Sequence, residues 1–238
     1  MNRLTLALPL LAALLLPAAA SAGAGQDFSG EARLLYRVVA CAGDEPLPPN
    51  VDRKVVDAHC RALKKKMAKY EGKYLGDASR FLASLRPPQL PPRVVYPFGG
   101  GDLLTALTTY PDATEYTTLS LEHGGDPRRI RRLDGAQLKG SLEQLRGAIN
   151  GLLYADNSTT ENLQKMQRGE LPGQLSFFLV ALAIHGYEPV GLRYFRTGPD
   201  GALHYLEAEE IAAAEDRLAR TLRGRWNSSD VSVAFLTL

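Results

Sequence analysis

Tyr96, Gly99, Gly100, Gly101, Asp102, Glu122, His123 and Asp126 fall within one stretch, VVYPFGGGDLLTALTTYPDATEYTTLSLEHGGD. Their types could do chemistry. A carboxylate beside a histidine can serve as an acid/base pair or hold a metal. Consecutive glycines allow positive φ and let a ligand approach backbone N–H groups. An acid about 20 residues beyond a glycine turn binds ribose hydroxyls in dinucleotide sites. Three uses of the corner follow: a nucleotide cradle, a pocket for another small molecule, or a tight turn in which Asp102 caps the next helix.

The nucleotide use fits the residues worst. GGGD only superficially resembles a Rossmann turn or the first turn of class I methyltransferases, because no third glycine follows at the required step of G-x-G-x-x-G. Asp102 would also set a negative charge where a phosphate lies. No cofactor is expected, and no metal, since neither cysteine has a histidine or second cysteine at ligand spacing. The leading expectation is a small-molecule site at Gly99–Asp102, with Tyr96, Glu122, His123 and Asp126 around it. One rival is a hydrolase-type enzyme that uses Asp102, Glu122 and His123 in acid/base roles. Another is a non-catalytic envelope module that binds another protein and carries an exposed apolar patch away from the corner. His185 is expected to end a helix, and His204 to lie in a hairpin. No G-x-S-x-G nucleophile motif is present.

The corner needs two strands and a helix to hold it. Val94–Phe98 is a short apolar run, and Glu115–Glu122 alternates with many β-branched residues, so both suit strands. Between them Asp102 can cap LLTALTTY. A parallel strand-helix-strand unit sends ligands beyond the carboxyl ends of its strands, where the glycines and Glu122 fall.

Upstream, ARLLYRVVAC (Ala32–Cys41) reads as a first strand and AGDEPLPPN as a loop. Val56, Cys60, Leu63, Met67, Tyr70 and Tyr74 then recur at helical steps, and the pattern resumes at Ala78, Phe81 and Leu85 before RPPQLPPR ends it. Leu133, Leu138, Leu142, Leu145, Ile149 and Leu152 mark a second amphipathic helix. LSFFLVALAIHG is apolar all round and reads as a buried helix ending at His185-Gly186. YEPVGLRYFRT and ALHYLE flank GPDG, a hairpin signal. EAEEIAAAEDRLARTLRGRW is a last helix, acidic early and basic late, and DVSVAFLTL closes as a strand. The expected class is therefore α/β: three layers, a mainly parallel sheet with a Rossmann-like strand-helix-strand crossover, and a late antiparallel β-hairpin.

MNRLTLALPLLAALLLPAAASA reads as a signal peptide over residues 1–22, with Ala20-Ser21-Ala22 as the cleavage pattern before Gly23. Residues 23–238 then form a single domain of ordinary size, exported to the periplasm or secreted, without a transmembrane segment. In an oxidising compartment Cys41 and Cys60, the only two cysteines, are expected to bridge. The net charge of +2 gives no dedicated nucleic-acid surface; KKK (Lys64–Lys66) and RRIRR (Arg128–Arg132) read as solvated faces.

Tyr96-Pro97-Phe98, small residues, Asp102, Tyr110-Pro111-Asp112-Ala113, Tyr116 and Leu121-Glu122 together resemble a family of exported bacterial proteins. That family's segment runs Tyr-Pro-Phe-small-Gly-x-Asp, Phe-Pro-Asp-Ala, Tyr and Leu-Glu-Pro. The resemblance spans about 30 residues, and His123 stands where the family has proline. It brings no activity, but it implies that Tyr96, Asp102 and Glu122 belong to one constellation.

Overall fold

The computed structural model describes residues 25–97, 103–118, 124–154, 170–171, 173–221 and 233–237. The expected signal peptide, the glycine corner, Glu122, His123 and the polar stretch after Tyr154 lie outside them.

The first element corrects the sequence reading. Ala32–Cys41 is helical, not a strand: α1 (Ser29–Leu35) runs into a π-helical segment, Tyr36–Ala40. The physical reason is burial of all but a narrow stripe. Ala32, Leu34, Leu35, Tyr36, Val38 and Val39 are buried, while Arg33, Arg37 and Ala40, at helical spacing, are not, and the apolar run with its paired valines mimics a strand. Tertiary contacts override their β preference. Asp27 Oδ1 accepts from the Ser29 amide at 3.1 Å and from the Leu192 amide at 3.2 Å, tying the helix start to a strand. Cys41 ends the segment at φ +60°.

α2 (Arg53–Tyr70) starts at Asp52, whose Oδ1 accepts from Lys54 N at 2.8 Å. Val56, His59, Leu63 and Met67 form its buried face, packed on α5 (Gly135–Tyr154). α5 opens with a reciprocal cap: Asp134 Oδ1 accepts from Gln137 N, and Gln137 Oε1 accepts from Asp134 N. Its expected stripe, Leu138, Leu142, Leu145 and Ile149, is buried. α2 continues through a second π-helical segment, Glu71–Leu75, into α3 (Gly76–Leu85). No residue of that continuation is buried.

β1 (Arg93–Tyr96), α4 (Leu103–Thr109) and β2 (Glu115–Thr118) form the expected crossover, with the strands parallel. A 3₁₀ turn, Pro127–Arg132, precedes α5. α6 (Gly173–Ile184) is the expected central helix, buried almost throughout. It ends as expected: Gly186 takes φ +75°, and the Tyr187 amide returns to Leu182 O at 3.0 Å. β3 (Gly191–Thr197) and β4 (Leu203–Tyr205) make the hairpin around GPDG, with Gly201 at φ +80°. α7 (Ala208–Thr221) leads to β5 (Val233–Thr237), which pairs antiparallel with β3.

The class is mixed helix and strand, richer in helix than expected. Among the described residues the parallel pairing is confined to β1–β2, and β4-β3-β5 is a separate antiparallel sheet. The mainly parallel sheet is thus replaced by two small sheets around a helical core. With Ala32–Cys41 helical, one strand of the expected sheet is gone. No helix among the described residues is long and apolar enough to cross a membrane.

Cys41 and Cys60 form a disulfide, with 5.4 Å between Cα atoms. It joins the end of the first helical rod to the middle of α2. Closing this loop, with its separation of 19 residues, stabilises by about 3 kcal/mol on the chain-entropy account. The double variant Cys41→Ala, Cys60→Ala is expected to lose that amount in urea unfolding. An unchanged midpoint would show that helix packing alone fixes the two rods.

Candidate functional site

The edge of the crossover follows from local sequence. Pro87, Pro88, Pro91 and Pro92 stop α3 and leave an extended approach to β1. Pro92 O then accepts from Thr114 N at 2.8 Å and Glu115 N at 3.1 Å, which starts the pairing. The register matches Arg93 with Glu115 and ends with Tyr96 opposite Thr118. Both strands therefore leave the sheet at the same edge. Gly99 follows Tyr96 by three positions, and Glu122 follows Thr118 by four.

α4 spans the crossover with Leu103, Leu104, Ala106 and Leu107 buried. It packs against both α6 and α3. Thr108 and Thr109 donate their hydroxyls back to Leu104 O and Thr105 O, each at 2.7 Å. His185 lies against this helix, with Nε2 3.3 Å from Thr108 Oγ1. Burial pulls its pKa down against a hydrogen bond to the Leu104 carbonyl, which pushes it up.

Tyrosines fasten the opposite end. Tyr116 donates to the Tyr110 carbonyl, Tyr187 to Pro111 O at 3.5 Å, and Tyr36 to Tyr187 O at 2.8 Å. The Tyr116 hydroxyl is pushed up to about 12, by burial first and then by Tyr187 and Asp112. At neutral pH it stays protonated and keeps donating. The crossover is thus held to the helical core from its amino end, away from the carboxyl edge.

Among the sequence-predicted residues, Tyr96 stands at that edge, half-buried, as the last residue of β1. Gly99, Gly100, Gly101, Asp102, Glu122 and His123 lie outside the described residues. Asp126 is placed, and its carboxylate is committed elsewhere. It is only 3 % exposed. Its Oδ1 accepts from Arg128 N at 2.9 Å and Nε at 2.8 Å, and its Oδ2 accepts from the same guanidinium at 2.8 Å. This is a cap for the 3₁₀ turn and a two-pronged ion pair. Arg128 also donates to Ala208 O at 2.8 Å and lies 5.8 Å from the centre of the Phe28 ring. Phe28 meets Tyr194 edge to face, and Tyr194 donates to Gly125 O at 2.7 Å. RRIRR is therefore not simply a solvated face: Ile130 and the Arg128 head are drawn inward.

Sequence reasoning also missed His59. It is 2 % exposed and joins three rods. Nε2 lies 3.0 Å from Val39 O, and Nδ1 lies 2.9 Å from an Arg146 nitrogen on α5. A carbonyl only accepts and a guanidinium only donates, so the ring is the neutral Nε2–H tautomer. The signal was present, because His59 shares helical spacing with Val56 and Leu63.

A separate cleft of about 380 Å³ is lined by Arg37, Glu45, Arg53 and Asp57 among others. Its walls carry charges of both signs, unlike the mostly apolar lining of ligand pockets. Compared with known proteins, the chain matches no family model, no curated sequence and no solved structure.

Proposed function

We propose that this is an exported protein that binds a small polar molecule at the carboxyl edge of a Rossmann-like β1–α4–β2 crossover. One observation carries this reading: the parallel register releases both strands at one edge, so the segments bearing Gly99–Asp102 and Glu122–His123 start side by side. In parallel units that edge is where ligands bind. The bridged cysteines suit an oxidising compartment and support export. The tyrosine anchoring at the other end supports a rigid base beneath the edge.

The resemblance of the Tyr96–Glu122 segment to a family of exported proteins points to the same three residues, Tyr96, Asp102 and Glu122, as its core. A tight structural corner is the competing use of these residues. Asp102→Ala and Glu122→Ala, made separately, distinguish the two. The expected result is loss of a co-purifying small molecule in native mass spectrometry of the exported fraction, with the melting temperature nearly kept. Severe destabilisation by both changes, with no ligand retained by the parent protein, would mean a structural corner instead.

A further inference from the structure

α2 and α3 carry a second feature, unconnected with the crossover edge. The rod from Arg53 to Leu85 outruns the core. Val56, Leu63 and Met67 are buried, but from the π-helical segment onward no apolar side chain is. Tyr74 is 40 % exposed, Phe81 62 % and Leu85 65 %. Phe81 and Leu85 are one turn apart and share a face. Leu75 and Leu82, on the adjacent face, are half-buried, and α3 packs on α4. The apolar strip therefore stands beside the seam with α4 rather than in it.

Its surroundings carry positive charge. Lys64, Lys65, Lys69 and Lys73 on the same rod are exposed, against Asp57 and Glu71, while Arg80 and Asp77 pair with each other. The whole chain carries only +2, so cations are concentrated on this rod. Lys73 Nζ lies 5.1 Å from the centre of the Tyr74 ring, which sets a cation directly against the apolar strip. Tyr70 stacks on Tyr74 at 6.2 Å. Tyrosine, lysine and large apolar side chains on one exposed helix are the composition that lies flat in a membrane interface. There the rings and leucine enter the acyl boundary, and the ammonium groups meet phosphates.

We propose that the exposed side of the α2–α3 rod docks on an anionic phospholipid surface, with Tyr74, Phe81 and Leu85 at the acyl boundary and Lys69 and Lys73 over the headgroups. Charge complementarity selects this occupant. A second copy of the chain would bring the same cations against each other, and an uncharged bilayer carries no net charge to complement them.

Co-sedimentation with vesicles tests it, using protein purified from the exported fraction. Vesicles of phosphatidylcholine alone are compared with vesicles containing about one third phosphatidylglycerol. The expected result is binding to the anionic vesicles only, weakened by salt. Phe81→Ser with Leu85→Ser should lower the bound fraction about tenfold, and Lys69→Glu with Lys73→Glu by a similar factor. Both pairs alter exposed side chains, so unchanged thermal unfolding serves as the check on folding. No binding to anionic vesicles would overturn the proposal. Equal binding to both vesicle types, or loss of neither pair's binding, would overturn it as well. So would a lipid-free dimer in sedimentation velocity that Phe81→Ser and Leu85→Ser dissolve, since the strip would then face a second copy.

Discussion

Asp126→Ala is expected to lower the stability of this protein by roughly 3 to 5 kcal/mol, the range for removing one partner of a buried ion pair. The cost arises in what remains. Arg128 would keep its place beside Phe28 and Ala208 O, with its guanidinium partly out of water and no counter-charge in Asp126. The 3₁₀ turn would also lose its side-chain acceptor for the Arg128 amide. In a chain of this size the melting temperature should fall by roughly 10 °C. Removing the charge as well, by Asp126→Ala with Arg128→Met, should recover part of the loss, because no buried charge is then left alone. Thermal unfolding of the two singles and the double forms a cycle that isolates the pair. A loss under about 1 kcal/mol in the first variant would show that water reaches Arg128 well enough to replace the carboxylate.

Acid should act through His59. Its pKa is held near 4, by burial first, with the Val39 carbonyl opposing and the Arg146 charge adding to the depression. In the unfolded chain an ordinary histidine titrates near 6.5. Between those values the unfolded state binds the proton and the native state does not. Stability from this residue is therefore fully present above about pH 6.5 and is lost as pH falls toward 4. The expected loss is roughly 3 kcal/mol at the low end. Protonated Nδ1 would face the Arg146 guanidinium and could no longer accept from it. Urea midpoints measured from pH 7 to pH 4 read this directly, with His59→Gln as the comparison. If the variant and the parent lose stability in parallel over that window, the histidine is not the responsible group.

Much of the scaffold was legible because its signals are local. The α5 stripe, the GPDG hairpin and the Gly186 stop each depend on residues within a few positions of one another. The strand reading of Ala32–Cys41 failed because its unburied stripe is narrow: Arg33, Arg37 and Ala40, and in so short an apolar run two arginines four residues apart are a faint helical period. The loss of that strand is part of why the sheet was overestimated. At the candidate site, the strand-helix-strand unit and Tyr96 could be read in advance. Asp126 could not: as a neighbour of His123 in sequence it looked like part of the corner, while Arg128, two residues on, claims its carboxylate. His59 was passed over because Cys60 beside it satisfied the same helical stripe. Its partners, Val39 and Arg146, come from distant segments that only the packed fold brings together.

The π-helical segment Glu71–Leu75 has a bearing on how this chain tolerates change in length. Such a segment accommodates one residue more than a plain α-helical turn. Each residue turns an α-helix by about 100°. A one-residue deletion between Tyr70 and Gly76 is therefore absorbed by tightening that wide turn to an α-helical one, and Ala78 to Leu85 keep nearly the same azimuth relative to α2. The same deletion inside α2 or α3 would swing everything beyond it by about 100°. The segment is thus the place where this rod can lose a residue and still present the same faces to its neighbours.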